Sequence, residues 1–163
     1  MPDLRLDATD IRILNELQRD SGRTNLELAA SVGLSPSPCL ARVRALEASG
    51  VICRRVALLD AARLGPSVSM VVQVTLERQT DALLEAFERA VNAFPEVMEC
   101  YLMTGDSDYL LRVVVRDTAA FRDFVIDRLT KAPGVANIRS SIALKQVKYQ
   151  TSLPLEALLG REP

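Results

Sequence analysis

Apolar residues before residue 60 recur every three or four positions, which is the spacing of amphipathic helices. A first helix is predicted to begin near Asp7. Its inner side is predicted to carry Ile11, Leu14 and Leu17. A second helix is predicted to begin at Thr24, because Thr24 and Glu27 have the spacing of a capping box. It is predicted to end at Gly33, since glycine readily adopts positive φ.

A third helix is predicted directly after this turn. Ser35 is a good N-cap, and Pro36 stands at the first helical position, where a backbone N–H is not needed. The apolar row of this helix is Cys39, Val43 and Leu46. Small residues and arginines remain on its other side, which is what a helix needs to approach a DNA groove and reach phosphates or guanine edges. Two short helices alone fit a DNA-reading helix-turn-helix and an ordinary helical hairpin about equally well.

The residues predicted to contact DNA lie at the start of the second helix, along the third helix and just beyond it. They are Arg23, Thr24, Asn25, Ser35, Ser37, Pro38, Arg42, Arg44, Arg54 and Arg55. The window from Ser21 to Arg55 holds five arginines and two acidic residues, whereas the whole chain has 20 basic and 21 acidic residues. A positive excess confined to this window suits a DNA-binding head on a protein whose remaining surface has another task.

Between Val51 and Leu58 the hydrophobic period changes to two. This predicts a strand in the position of a wing, with Arg54 and Arg55 near the DNA backbone. No second strand follows at hairpin distance, so the strand is expected to pair with another subunit.

After a linker, the remaining pattern predicts the element order β-α-β-β-α-β. The predicted strands are 67–76, 97–103, 109–115 and 136–147, and the predicted helices are 81–94 and one that begins at Asp117 or Thr118. This order is typical of a ferredoxin-like domain, whose antiparallel sheet has helices on one face only. A second subunit is expected to cover the other face. Apolar positions for that contact are Val71, Leu102, Val114 and Ile142.

The predicted fold class is therefore α+β. A winged helix-turn-helix domain takes residues 1–60, a linker takes 61–66, a ferredoxin-like effector and oligomerisation domain takes 67–150, and a tail without assigned function takes 151–163. The chain has three cysteines without CxxC spacing, no signal peptide and no apolar run of membrane-spanning length, so a cytoplasmic protein without a membrane partner is expected. Histidine is absent, and no metal, cofactor or catalytic residue is predicted.

The loop Gly105-Asp106-Ser107-Asp108 places two carboxylates beside a glycine. Backbone N–H groups near Gly105 could bind the carboxylate of an amino acid, while Asp106 or Asp108 binds its ammonium group. The same residue types also fill ordinary hairpin loops for conformational reasons, and on residue types alone that plain interpretation is favoured.

Two motifs resemble the Lrp/AsnC family of bacterial and archaeal transcriptional regulators. They are the run Leu34-Ser35-Pro36-Ser37-Pro38-Cys39-Leu40 with Arg42-Val43-Arg44, and Gly105-Asp106-x-Asp108-Tyr109-Leu110-Leu111. The ending Ala143–Lys148 also resembles the closing strand of that family. The resemblance, which extends over nearly the whole chain, implies a regulator that binds double-stranded DNA as a homodimer assembling into an octamer or larger ring. It also implies an amino-acid effector at contacts between dimers, with leucine or another branched-chain or hydrophobic amino acid left open.

The effector residues implied by this resemblance come from two subunits. One subunit is expected to supply Tyr101, Met103, Thr104, Gly105, Asp106 and Asp108. The neighbouring subunit is expected to supply Thr118, Ser140 and Ser141.

Two other functions stay open beside this one. One is a nucleoid-type protein that organises DNA without an effector. The other is an enzyme, because siroheme decarboxylases resemble the family in fold, but those enzymes look like users of histidine and this chain has none. The sequence therefore predicts that the protein is not an enzyme.

Overall fold

The computed structural model describes residues 6–160 and divides the chain into two compact units. One unit comprises Met1–Leu58 together with Lys148–Pro163, so far as these are described, and the other comprises Leu59–Val147. The C-terminal segment, predicted as a separate tail, thus belongs to the unit that contains the helix-turn-helix. Among the described residues, no helix combines the length and the apolar character that a membrane crossing requires.

The elements follow the predicted order, with short helices added in the linker and in the tail. In chain order they are α1 (Ala8–Arg19), α2 (Asn25–Val32), α3 (Pro36–Ala48), α4 (Ala61–Leu64), β1 (Val68–Leu76), α5 (Asp81–Asn92), β2 (Val97–Leu102), β3 (Tyr109–Val115), α6 (Thr118–Asp127), β4 (Val135–Ile142) and α7 (Leu155–Leu158). A single 3₁₀ turn, Leu129–Lys131, follows α6.

Local capping chemistry sets the helix starts of the first unit. The Thr24 hydroxyl accepts a hydrogen bond from the Glu27 backbone and the Glu27 carboxylate accepts one from the Thr24 backbone, so the predicted capping box is confirmed. Asp7 and Asp10 form a second box at the start of α1. Gly33 ends α2 at φ 72°, as predicted.

The remaining N-cap positions differ in whether the side chain takes part. Ser35 and Thr80 stand at the N-cap positions of α3 and α5, but neither side chain accepts a capping hydrogen bond. Of the two residues predicted to begin α6, Asp117 is the cap, and it accepts a bond from the Ala120 N–H at 2.8 Å. A carboxylate is the stronger acceptor of the two, and it also favours the positive end of the helix.

The core of the first unit is formed where α1, α2 and α3 meet. The predicted row Cys39, Val43 and Leu46 is buried, and so are Leu28, Ala29 and Val32 of α2. From α1, Ile13 is fully buried, although the predicted row did not include it. Leu17, which was predicted to be in the row, is only partly buried against this core.

The strand predicted over Val51–Leu58 is not present in the single chain. All of these residues are described, and they form no strand. Val56 and Leu58 are each 59% exposed, so these apolar side chains are not buried against a hydrophobic core. A strand needs a partner for its backbone groups, and this unit offers none at hairpin distance.

The second unit is an antiparallel sheet with the order β2-β3-β1-β4, which is the predicted ferredoxin-like arrangement. Phe87 and Val91 of α5 and Phe124 of α6 pack with the buried positions of β1 and β3 on one face. The predicted alternation of β1 is confirmed. Its inward residues are Val68, Met70, Val72, Val74 and Leu76.

The last strand ends at Ile142, five residues before the predicted end at Val147. Ile142 pairs with Met70, and the next backbone bond runs from the Ala143 N–H to the Ser69 carbonyl at 2.9 Å. Because β1 itself begins at Val68, the strand then has no further partner.

The register also corrects which residues share the helix-free face. Val71 pairs with Arg112 and Val114 pairs with Ser69, so both valines lie on that face as expected. Leu102 pairs with Tyr109, and Ile142 pairs with Met70, whose side chains are in the core. Paired residues of antiparallel strands share a face, so Leu102 and Ile142 belong to the helix-covered side.

Candidate nucleic-acid interface and effector site

The third helix presents a small, exposed surface at its start. Ser35, Ser37 and Pro38 are exposed, while Cys39, Val43 and Leu46 fix the opposite side of the helix in the core. Arg44 is also exposed, and no carboxylate among residues 6–160 is placed to form an ion pair with it. This side of α3 therefore combines close backbone access with an arginine available to an external anion.

Arg42, which was predicted to contact phosphate, has acidic partners within the unit. Its Nη1 donates to Asp7 Oδ2 at 2.7 Å and to Asp10 Oδ1 at 2.8 Å, so one guanidinium holds both carboxylates of the α1 capping box. The pKa of Asp7 is lowered, mainly by the Asp10 backbone N–H and then by Arg42. Arg42 thus ties α3 to the start of α1, and its charge is largely engaged within the unit.

Two further arginines predicted to contact DNA also have acidic partners. Arg23 forms an ion pair with Glu16 at 2.6 Å, and Arg55 forms one with Glu47 at 2.9 Å. Arg54 is exposed and, within the described part of the chain, has no such partner. The local positive excess is therefore smaller than the sequence window indicated, because acids of α1 lie outside that window.

Thr24 and Asn25 make hydrogen bonds within the helix-turn-helix. The Thr24 hydroxyl caps α2, and Asn25 Nδ2 donates to the Pro36 carbonyl at 2.8 Å. Asn25 Oδ1 is buried and accepts no hydrogen bond from the described residues. Asn25 therefore links the first turn of α2 to the first turn of α3 rather than extending outward.

Asp108 is the most constrained residue of the predicted effector loop. It is 6% exposed, and its Oδ2 accepts a bond from the Leu76 N–H at 2.7 Å, while Oδ1 accepts one from Gln79 Nε2. Its own backbone N–H donates to the Val74 carbonyl at 3.0 Å. Since one carboxylate oxygen binds the end of β1 and the other binds Gln79 just beyond it, Asp108 does not fit the predicted role of a free ligand for an ammonium group.

The rest of the loop is open. Met103, Thr104, Gly105 and Asp106 are all exposed, and Gly105 has φ 119°, a conformation that L side chains rarely adopt. The Met103 N–H donates to the Asp108 carbonyl at 2.8 Å, which closes the base of the loop. Of the two predicted carboxylates, Asp106 is the one that remains available to a ligand.

Tyr101 belongs to a polar cluster on the helix-free face of the sheet. Its hydroxyl donates to Glu99 at 3.1 Å, and Arg112 Nε donates to the same carboxylate at 2.7 Å. The bond to Glu99 raises the pKa of Tyr101. This face is consequently more polar than the predicted apolar contact surface.

Within one chain, Thr118 lies far from the loop. Thr118 begins α6 after the end of β3, whereas the loop precedes β3, so seven residues of strand, roughly 20 Å, separate them. Ser140 pairs with Val72 of the core face, and Ser141 pairs with Val71 of the helix-free face. Ser140 lines a shallow groove of about 360 Å³ beside α6. Thr118 and the loop therefore do not form one site within a single chain.

Sequence reasoning did not find Gln79, Glu99, Arg112 or the tail contacts. Gln79 reaches Asp108 across 29 residues, and Glu99 reaches Arg112 across 13. No local spacing signals such pairs, because strand register and loop packing bring them together. Only the Gly-Asp-x-Asp pattern pointed to this part of the domain.

Both units match known protein families. Residues 6–52 match the model described as winged helix-turn-helix DNA-binding, and residues 69–153 match the model described as Lrp/AsnC ligand binding domain. A DNA-binding helix-turn-helix joined to a ligand-binding domain defines a transcriptional regulator with separate reading and sensing parts. The chain belongs to the Lrp/AsnC family of transcriptional regulators.

Relatives match over nearly the full chain. The chain is 42% identical over 151 residues to the leucine-responsive regulatory protein of Haemophilus influenzae, covering 93% of this chain and 91% of that protein. It is 46% identical over 150 residues to the Bkd operon transcriptional regulator of Pseudomonas aeruginosa, covering 92% and 98%. These names are consistent with a protein that is not an enzyme.

Solved structures agree with this assignment. A transcriptional regulator from Neisseria meningitidis in complex with L-Met has a TM-score of 0.88 and 41% identity, covering 94% of this chain and 99% of that chain. An AsnC family transcriptional regulator from Agrobacterium tumefaciens also has a TM-score of 0.88, with 42% identity and coverage of 94% and 99%.

Proposed function

We propose that this protein regulates transcription by binding specific DNA sequences, and that an amino acid bound where subunits meet changes that binding. The observation that carries the proposal is the presence of two open sites in separate units. One is the arginine-bearing face of α3, and the other is the loop that exposes Asp106 beside Gly105. Such a protein acts in the compartment that holds the chromosome, which is the cytoplasm of a bacterial cell.

On the DNA side, Arg44 and Arg54 are the proposed phosphate or base contacts, together with Ser35, Ser37 and Pro38 at the start of α3. Arg23 and Arg55 have acidic partners of their own. They could still reach a phosphate by exchanging one anion for another, since exposed ion pairs contribute little to stability. Two copies of α3 related by a two-fold axis would read two half-sites in the major groove.

On the effector side, the proposed ligand is a hydrophobic amino acid. Backbone N–H groups near Gly105 bind its carboxylate, Asp106 binds its ammonium group, and exposed Met103 offers an apolar contact. The related Neisseria regulator binds L-Met, and two relatives are named for leucine or for the bkd operon. Methionine, leucine and other branched-chain amino acids are therefore the first ligands to test.

Assembly is part of the proposal. Thr118 is proposed to contribute from another subunit, because one chain keeps Thr118 and the loop at opposite ends of β3, and Ser140 and Ser141 are proposed to contribute with it. A homodimer that assembles further, to an octamer or a larger ring, would supply that neighbour. The ligand could then shift DNA affinity only through unequal affinity for different assembly states.

Thermal melting with each of the twenty amino acids tests the sensing half of this function. A hydrophobic amino acid is expected to raise the melting temperature progressively with its concentration, because it binds the folded state only. Mass measurement of the same samples reports whether the assembly changes. A protein that binds DNA but whose melting temperature no amino acid shifts would instead be an effector-independent, nucleoid-type protein.

Replacing Arg44 with alanine tests the DNA-binding half. We expect R44A to weaken binding to a duplex selected by this protein from a random pool by about tenfold, and to reduce the salt dependence of binding. Fluorescence anisotropy over a range of salt concentrations measures both quantities. R78A is the matched control, because Arg78 is an exposed arginine of the other unit. Equal losses in R44A and R78A would contradict the assignment.

Replacing Arg42 with alanine is expected to act differently. R42A leaves Asp7 and Asp10 without their shared cation, so the melting temperature of the DNA-binding unit should fall. R44A should leave that temperature nearly unchanged, because Arg44 has no such partner in the described part of the chain. Circular dichroism melts of the two variants distinguish a residue that holds α3 in place from one that contacts DNA.

A further inference from the structure

The C-terminal segment folds back onto α1 of the DNA-binding unit. Residues 148–160 belong to this unit, whereas the 89 residues between the two segments, Leu59–Val147, form the other. Three separate contacts hold the segment. They involve Leu153, Leu155 and Glu156.

The first contact is a paired hydrogen bond to the backbone. Gln18 Oε1 accepts a bond from the Leu153 N–H at 2.6 Å, and Gln18 Nε2 donates to the Leu153 carbonyl at 3.3 Å. A side-chain amide that engages both polar groups of one residue imitates the pairing of a neighbouring strand. The contact therefore fixes the direction of the chain as well as its position.

The second and third contacts are made by the first two residues of α7. Leu155 is partly buried against the core formed by α1, α2 and α3. Glu156 Oε1 accepts a bond from Asn15 Nδ2 at 2.8 Å, on the same helix face as Gln18. The pKa of Glu156 is lowered, first by its own backbone N–H and then by Asn15.

Because these contacts hold the segment on α1, the chain connects the DNA-binding unit to the effector unit at two places. The chain enters the effector unit after Leu58 and returns from it before Lys148. With one connection, a unit can reorient about its linker; with two, its freedom is much smaller because both ends must move together.

We propose that the C-terminal segment is a latch: by binding α1 through Gln18 and Asn15, it fixes the second connection and so lets the effector unit restrain the DNA-binding unit. The regulatory role of the latch rests on the proposed function. Binding of the segment to α1 does not depend on that function and can be tested separately. A second connection gives a change in the effector unit, or in its assembly, a further route by which to alter DNA binding. Opening it should uncouple the units while leaving each one folded.

Four proteins that differ at one hydrogen bond test the latch. N15D places a carboxylate against Glu156 and opens it. E156Q alone keeps it closed, because the glutamine oxygen still accepts from Asn15. N15D/E156Q also closes it, with the glutamine amide donating to the new aspartate. Since the double variant retains the N15D substitution, a loss caused by that substitution in α1 alone would persist in it.

Hydrogen exchange and distance measurements report closure directly. Exchange at the Leu153 amide is expected to rise about tenfold in N15D and to return to the wild-type rate in N15D/E156Q. Spin labels on Cys53 and Cys100, the exposed cysteines of the two units, should give a broader distance distribution in N15D only. Exchange rates or distributions that are the same in all four proteins would overturn the latch.

Binding to the selected duplex, with and without saturating L-methionine or L-leucine, reports the regulatory role. Where wild type shows an amino-acid effect on the dissociation constant, N15D should lose most of it and N15D/E156Q should regain it. An effect retained in N15D overturns the coupling role. A wild-type protein that ignores both amino acids contradicts the proposed response to them, and the distance distributions then decide on the latch alone.

Discussion

Replacing Asp108 with asparagine is expected to lower the stability of the effector unit by about 2–3 kcal/mol, which corresponds to roughly 10–20 °C in melting temperature. The carboxylate is buried, and each of its oxygens accepts one hydrogen bond, from the Leu76 N–H and from Gln79. An asparagine of the same shape would direct its NH₂ group at one of these donors. A buried donor facing another donor loses its hydrogen bond without gaining contact with water.

The neighbouring carboxylate provides the control. Asp106 is exposed, so D106N should leave the melting temperature unchanged. It should instead reduce the stabilisation by a hydrophobic amino acid, because it removes the proposed partner of the ammonium group. The two variants thus separate a residue that holds the loop from one that contacts the ligand. A D108N protein as stable as wild type would show that these hydrogen bonds do not determine the loop.

Replacing Gly134 with alanine is expected to destabilise the effector unit by about 2–4 kcal/mol. Gly134 has φ 73°, and a Cβ at this position would lie 2.6 Å from Leu83 Cδ2 and 2.7 Å from Leu83 Cγ. The left-handed backbone contributes about 1–2 kcal/mol of this loss, and the overlap with Leu83 contributes the rest. Chemical denaturation followed by circular dichroism measures the change.

Two comparisons separate these causes. Gly33 has nearly the same φ, 72°, and nothing lies within 4 Å of its Cβ position, so G33A in the other unit should show the backbone effect alone. Adding L83A to G134A should relieve the overlap, so the double variant should lose less than the sum of the single losses. Additive losses would mean that Leu83 moves aside at little cost.

Much of the architecture was predictable because it depends on residues close together in the chain. Thr24 and Glu27 are three residues apart, and their capping box fixes where α2 begins. The alternation of β1 follows from period two alone, and Gly33 ends its helix through its own conformational freedom. Each of these features involves at most one turn of helix or one strand, so the spacing of nearby residues is enough to predict it.

The functional surfaces were less predictable. Arg42, counted as a DNA contact, meets Asp7 from 35 residues away, and Asp108, counted as a ligand group, holds Gln79 from 29 residues away. Arginine and aspartate can each bind an external ligand or a distant residue of the same chain. Which of these occurs depends on how separate elements pack together, and local sequence spacing does not report that packing.

The sequence by itself determined the helix-turn-helix, the β-α-β-β-α-β order and the family, since these rest on short spacings and contiguous motifs. Only the tertiary structure decided that β4 stops at Ile142, that Asp106 is the open carboxylate, and that the tail binds α1 through Gln18, 135 residues from its partner Leu153. Hydrogen bonds and ion pairs between distant segments form only after the backbone has brought donors and acceptors within about 3 Å, and that placement is a property of the whole fold.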